Sequence, residues 1–330
     1  MESALPFDLA VVIACTRPKQ VLQGLDALGV QPGAERVEVH VVGDVPEPLP
    51  SPERWPMSVR WVRCAERHAN TRRNIGIRGS TAPRVAILDD DVATEPGWLA
   101  AALSVSPSEF VLRTGPEVVM SAERGARIAW AVYASPVGEV SSGHHLTVAE
   151  QVAWYRIPFS NAVTTRALLD RAGPLREDIP WDMDDFDFCL RVRALARFEA
   201  DPALRVRHDR YAADPAEFLR YVWRLRRRTG EKIVSHPDVY LRIPAVVAAA
   251  GLGAGLVAAA PLLLLAPPLG LAAGTAYGAL LASQIPHARR RLELGELPRF
   301  LALMASVHAA TIVGVQFGLV RGIRARLRGR

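Results

Sequence analysis

Apolar and polar positions along this chain follow one rhythm up to about residue 215 and another after about residue 240. In the first stretch, short Val- and Ile-rich runs recur at Leu9–Cys15, Val37–Val42, Val59–Val62 and Val85–Leu88. Runs of that length bounded by turn residues predict buried strands. Pro18–Leu28 and Asn70–Arg78 between them carry helical spacing, and the Pro- and Gly-punctuated Gly43–Pro56 predicts a loop. Strands alternating with helices predict an α/β domain built on a mixed, mostly parallel sheet. Such sheets bind ligands beyond the carboxyl ends of their strands. Asp44 follows the second strand and Asp89 to Asp91 follow the fourth.

In the second stretch, no charged residue occurs from Ile243 to Ile285. That is about twice the ~20 residues a helix needs to cross a bilayer. Pro267 and Pro268 fall where a turn between two spans belongs, so a helical membrane hairpin is expected, 243–265 and 269–286 within a segment 243–286. A third uncharged run extends from Phe300 to Val320. With the N-terminal part in the cytoplasm, two spans bring "HARRR" back inside, as the positive-inside rule prefers, whereas a third places "RGIRARLRGR" outside. The third run therefore either spans against that bias, lies in the interface or re-enters. The expected organisation is a domain over 1–215, a juxtamembrane segment 216–242, the hairpin, and a basic loop, third hydrophobic helix and Arg-rich tail over 287–330.

Charge sharpens this picture. The 330 residues carry a formal net charge of +6 and a pI near 9.6, and Lys19 and Lys232 are the sole lysines. Arginine clusters after residue 220 and borders the apolar runs, which points to anionic membrane lipid as a partner. There is no zinc-finger spacing and no basic patch interleaved with aromatics, so no nucleic-acid partner is expected. In "EFLRYVWRLRRR", Phe218, Tyr221, Val222 and Leu225 share one helical face and Arg220, Arg224, Arg227 and Arg228 another. Such a helix either lies in the headgroup plane or docks on the N-terminal domain. Cys15, Cys64 and Cys189 show no metal or disulfide spacing and read as buried thiols of a reducing compartment. The acidic N-terminus lacks signal-peptide character. An integral protein of the cytoplasmic membrane is expected, its N-terminal domain facing the cytoplasm.

The chemistry concentrates in acids. In "VAILDDDVATEPGW" three carboxylates stand together on an apolar strand, an arrangement that repels itself without a cation. Mg²⁺ and Mn²⁺ take one or two carboxylates together with substrate phosphates. Alternation lets Asp89 and Asp91 face one pocket while Asp90 points elsewhere. The competing explanation is a helix start, with Thr94 as cap, Glu95 in the first turn and Pro96 early in the helix. That explains "TEPGWLAAAL" but not three acids. A second cluster, "WDMDDFDFCL", reads as an amphipathic helix start, with Phe186, Leu190 and Leu195 toward the core. Its acids either serve the helix dipole or supply a base.

Four segments in order, "VVIACTRPKQVLQGLDAL", "VHVVGD", "TRRNIGIRGSTAPRVAILDDDV" and "WDMDDFDFCLRVRAL", resemble family 2 glycosyltransferases, enzymes of the GT-A fold, over about residues 8–215. The resemblance implies a nucleotide-diphosphate sugar as donor, a divalent metal (Mn²⁺ or Mg²⁺) as cofactor, and transfer with inversion. It implies a contact from Thr16 to the nucleotide base, base reading by Asp44, and a diphosphate contact from Arg73. Asp91 becomes the direct metal ligand, and Asp89 a metal ligand or, like Asp90, a ribose or sugar contact. Gly43 stands where relatives often have a further acid. Asp184–Asp185 replaces the usual Glu-Asp, making Asp185 the general base and Asp184 the fallback. His208 matches a third metal ligand, against the alternative of a surface histidine, and Asn161 a donor or acceptor contact, against a turn residue. Similar membrane-anchored enzymes use lipid-linked or glycan acceptors. The rival reading is a catalytically inactive sugar-nucleotide-binding scaffold. A transporter would need charge within its spans, and a nucleotidyltransferase a Gly-rich loop where "ACTRPKQV" stands.

Overall fold

The computed structural model describes residues 7–119, 123–133, 157–179, 184–208, 214–241, 251, 267–290 and 292–328. It divides into two compact units, residues 1–120 with 147–210 and residues 121–146 with 211–330.

The first unit runs β1 (Leu9–Cys15), α1 (Pro18–Gly29), β2 (Val37–Gly43), β3 (Ser58–Arg63), α2 (Ala69–Gly79), β4 (Arg84–Asp89), β5 (Val92–Thr94), α3 (Trp98–Leu103), β6 (Val111–Thr114) and β7 (Glu117–Val119). After α4 (Arg124–Tyr133), which belongs to the second unit, come β8 (Asn161–Thr165), α5 (Arg166–Ala172), α6 (Asp184–Val192), β9 (Arg197–Ala200) and β10 (Val206–His208).

Seven strands form one sheet in the order β3-β2-β1-β4-β8-β6-β9. β3, β2, β1 and β4 are parallel, and β8 runs antiparallel to both β4 and β6. The register sets Cys15 beside Gly43 and Ala14 beside Asp89. The carboxyl ends of β1, β2 and β4 therefore share one edge. Leu9, Val11 and Ile13 bury against Val21, Leu25 and Leu28 of α1, which recur at helical spacing. Ala10 and Val12 face the opposite core, with Phe188 and Leu168. Burial on both faces is why these strands read as continuous apolar runs.

A second sheet of three short strands, β5-β10-β7, forms beside the first. It corrects the expected helix start. Thr94 ends β5, paired with Val206, and its hydroxyl accepts a 2.8 Å hydrogen bond from Gln31. The helix begins only at Trp98, after Gly97 at φ +91°. In α6 the expected core face is also corrected: Phe188, Cys189 and Val192 are buried, whereas Leu195 is 39% exposed. The amides of Leu195 and Ala196 both turn onto the Val192 carbonyl, so the helix stops before Leu195 is reached. Cys15 and Cys189 are buried; Cys64 is only half-buried.

The second unit contains α4, α7 (Pro215–Ser235), α8 (Pro237–Tyr240), α9 (Pro267–Ala282), α10 (Ile285–Ala288) and α11 (Leu297–Leu327). Helix α7 does not keep its apolar face open to a headgroup layer. Phe218 and Val222 share a core with Phe300, Met304 and Val307 of α11. Farther along, Gly314, Gly318 and Gly322 bring α11 against the α7 backbone around Gly230, the close approach that small residues four apart permit. The first arm of the expected hairpin, 243–265, lies outside the described residues except for Gly251. Its second arm appears as α9, whose 16 residues span about 24 Å, short of the ~30 Å hydrocarbon layer. Among the described residues, the helix long and apolar enough to cross a membrane is instead the third run, within Leu294–Leu327.

Candidate functional site

The carboxyl ends of β1, β2 and β4 meet helix α2, which builds the site from an unusual face. Its buried positions are Asn70, Arg72, Arg73, Asn74 and Gly76 rather than aliphatic residues. The helix starts one residue earlier than its spacing predicts, with the His68 side chain accepting from the Asn70 amide. The buried side chains Asn70, Arg72, Arg73 and Asn74 each find hydrogen-bond partners across the fold, as burial requires. Asn74 clasps the Leu175 backbone through both ends of its amide. Arg72 donates to the carbonyls of Cys15, Cys64 and Glu66 and lies 3.4 Å from Asp44.

Arg72 also explains Gly43. That residue adopts φ +134°, and a Cβ on it would overlap the Cys15 carbonyl and the Arg72 guanidinium. The space an additional acid would need is filled by arginine. Asp44 next to it is exposed, its amide bonded to the Cys15 carbonyl.

The three adjacent acids take different partners, although Arg17 bridges Asp90 and Asp91. Asp90 turns to the β1–α1 loop. Its Oδ2 accepts from the Thr16 amide (2.5 Å), the Thr16 hydroxyl (2.9 Å) and the Arg17 amide (2.8 Å), and its Oδ1 from Arg17 Nε and Nη2. So many donors make Asp90 a buried anchor of that loop. Asp91 faces the other way, with Oδ1 3.0 Å from His208 Nε2 and Oδ2 2.6 Å from Arg17 Nη1. Asp89, half-buried, lies 3.2 Å from Arg73 Nη2.

Arg73 joins the two acidic clusters. Its Nη2 meets Asp89 while its Nη1 donates to Asp184 at the start of α6. Its guanidinium lies over the Phe159 ring at 5.0 Å. Arg73, its side chain 6% exposed, braces the carboxylates of both clusters. An exposed cation beside these acids is Arg17, 44% exposed, a residue sequence reasoning passed over although it directly follows Thr16. Burial pushes the Asp184 carboxyl up to about 7 against the pull of Arg73, and Asp185 adds to the rise. Asp185 is more exposed than Asp184, and its own carboxylate accepts from the Phe186 amide.

Asp89, Asp91 and His208 bring one ligand atom each within 4.8 Å of one another. His208 is not a surface histidine: it is 2% exposed and ends β10. Its Nδ1 lies 3.1 Å from Glu117 and its Nε2 3.0 Å from Asp91. A neutral imidazole donates from one nitrogen only, so carboxylates at both nitrogens call for a cation on one side, a proton or a metal. Two carboxylates and one imidazole suit Mn²⁺, and Mg²⁺ less. These residues fit a divalent ion.

Asn161 is placed elsewhere. It is fully buried, accepting from Trp98 Nε1 and donating to the carbonyls of Gly115 and Leu204. Its amide ties these two backbone segments together. Glu117 and Ser160, which sequence reasoning missed, sit at the centre of this region; no local motif marks either.

No protein-family model and no curated protein matches the chain. Solved structures do. The mannosyltransferase PcManGT from Pyrobaculum calidifontis, in complex with GDP-Man and Mn²⁺, superposes with a TM-score of 0.54 at 18% identity, covering 94% of this chain and 88% of that one. S. aureus TarS gives 0.40 at 13% identity, with 68% of this chain spanning 40% of that one, and its 1–349 fragment gives 0.44 at 13%, covering 94% and 90%. With its mixed, mostly parallel sheet and its strand-end site, the chain has a glycosyltransferase fold.

Proposed function

We propose that this chain is a membrane-associated, inverting glycosyltransferase of the family 2 type. It transfers a sugar from a nucleotide-diphosphate donor to a lipid-linked or glycan acceptor, on the cytoplasmic side of the membrane. The observation that carries this reading is the convergence of Asp89, Asp91 and His208 within 4.8 Å, linked through Arg73 to Asp184–Asp185. The mannosyltransferase with the same fold is complexed with a nucleotide sugar and Mn²⁺, which favours the same ligand classes here. The apolar helix α11 favours an acceptor delivered at a membrane.

Asp91, Asp89 and His208 would hold the ion, which supplies charge neutralisation for the departing diphosphate. Arg17, exposed beside Asp91, is the side chain that turns from its carboxylates to the diphosphate. Thr16 and Asp44, both exposed at the ends of β1 and β2, line the nucleotide's place. Asp185 takes the proton of the acceptor hydroxyl as its oxygen attacks the anomeric carbon, so the sugar inverts. Asp184, buried against Arg73, sets the position of its neighbour.

The test is paired substitution. Asp185→Asn should abolish transfer while leaving Mn²⁺ binding intact, and the wild-type product should carry the inverted anomeric linkage by NMR. Retained configuration, or full turnover by the Asp185→Asn protein, refutes the base assignment. Intact nucleotide binding with no transfer by wild type to any lipid or glycan acceptor favours a scaffold role.

A further inference from the structure

We infer that Glu117 is a positioning residue of the metal site, fixing His208 so that Nε2 is its ligand atom. The inference rests on the assignment of Asp89, Asp91 and His208 to a divalent ion. Glu117 opens β7, Asp91 directly precedes β5 and His208 closes β10, the strand between them. In that sheet Val206 pairs with both Thr94 and Glu117. Three short strands thus bring together residues far apart in the chain.

The chemistry of the contact has a direction. An ionised carboxylate only accepts. One Glu117 oxygen accepts from the Ser160 hydroxyl, and the other lies 3.1 Å from His208 Nδ1. Asp91, 3.0 Å from Nε2, can only accept as well; with the ion on that side, Nδ1 carries the hydrogen and the Nε2 lone pair points to where Asp91 and Asp89 stand. Both side chains are nearly closed to solvent, Glu117 at 6% and His208 at 3% exposure, so water does not compete for the bond. Metal-bound histidines are oriented this way by an outer carboxylate, which also raises ligand basicity.

The backbone around Glu117 is fixed for the same end. A Cβ on Gly115 would overlap the Leu204 carbonyl, so the chain entering β7 passes directly against the chain entering β10. Asn161 clamps that crossing by donating to both the Gly115 and Leu204 carbonyls. Its role is to hold Glu117 opposite His208.

Equilibrium Mn²⁺ binding by electron paramagnetic resonance tests this, together with the visible spectrum of the Co²⁺-substituted protein. Glu117→Ala should weaken Mn²⁺ by about 10–100-fold and change the Co²⁺ bands. Glu117→Gln, whose amide oxygen still accepts from Nδ1, should lose less. Glu117→Ala binding Mn²⁺ like wild type, while Asp91→Asn does not, overturns the inference and leaves the metal assignment standing. Should Glu117→Ala fail to fold, unchanged affinity and an unchanged Co²⁺ spectrum in Glu117→Gln overturn it equally. Wild-type Mn²⁺ affinity in both Asp91→Asn and His208→Ala overturns the metal assignment and this inference with it.

Discussion

Asp89 and Asp90 are neighbours of like charge, yet their removal should have different consequences for stability. Asp90 is 3% exposed and receives the backbone amides of Thr16 and Arg17 on one oxygen. In Asp90→Asn the amide oxygen can still face those two N–H groups, but each charge-assisted bond of ~1.5–3 kcal/mol becomes a neutral one of ~0.5–1.5. That removes about 2 kcal/mol. The new NH₂ then faces Arg17 Nε and Nη2, donor against donor. Arg17 is 44% exposed and keeps Asp91, so this adds at most about 1 kcal/mol after solvent screening. The sum, about 2–3 kcal/mol, corresponds to a fall in Tm of about 4–12 °C for a domain of this size class. Asp89→Asn loses one 3.2 Å contact at a site 28% exposed and should cost less than about 1 kcal/mol. Near-UV circular dichroism melts in EDTA compare the two without bound metal. A Tm for Asp90→Asn within about 1 °C of wild type, or below it by less than Asp89→Asn, refutes the anchoring role.

Glu38 should make stability depend on acid. Burial pushes its carboxyl up, but hydrogen bonds from His40 and from the Ala82 and Thr81 amides hold it below its ordinary value. Its contribution is therefore present above the ordinary glutamate range and lost as pH falls through the lower folded value. The Tm gap between wild type and Glu38→Gln should be full at neutral pH and narrow below about pH 4; a gap constant down to pH 3 contradicts this. Burial, with the charge of Asp90 adding, pushes the Cys15 thiol up to about 12, so iodoacetamide at pH 8 should modify half-buried Cys64 and spare Cys15, as mass spectrometry of the native protein would show. Gly318→Ala places a methyl on the Arg227 carbonyl of α7, and overpacking of about 1–3 kcal/mol should lower Tm. Gly278→Ala, with nothing within 4 Å among the described residues, should not, and equal effects of the two would contradict the close packing.

How far the sequence foretold this arrangement depends on the range of the interactions. Strands β1 and β4 were legible because burial on both faces leaves an unbroken apolar run, β2 and the half-exposed edge strand β3 by their recurring valines alone, and the helix from Pro18 because Val21, Leu25 and Leu28 recur along one face. Asp89, Asp91 and His208 were legible as candidates, and the structure brings them together. What defeated the reading was tertiary pairing. The extent of β5 is set by β10, more than a hundred residues later, and it converts Thr94 from a helix cap into a strand end. Arg17 became the counterion of Asp90 and Asp91 only when β1 and β4 aligned, and Glu117 has no local pattern at all. Asn161 shows a different case: the family resemblance implied a ligand contact or a turn residue, and among the described residues its side-chain bonds hold backbone and the Trp98 ring in place.

The central claim is that Asp89, Asp91 and His208 make donor chemistry depend on a divalent ion. The most direct measurement is release of nucleoside diphosphate from a panel of sugar nucleotides in detergent with lipid extract, by wild type with and without Mn²⁺ and by Asp91→Asn. The account predicts release from at least one donor, dependent on the ion and lost in Asp91→Asn. Release that is indifferent to both the ion and Asp91, or no release from any donor, contradicts it.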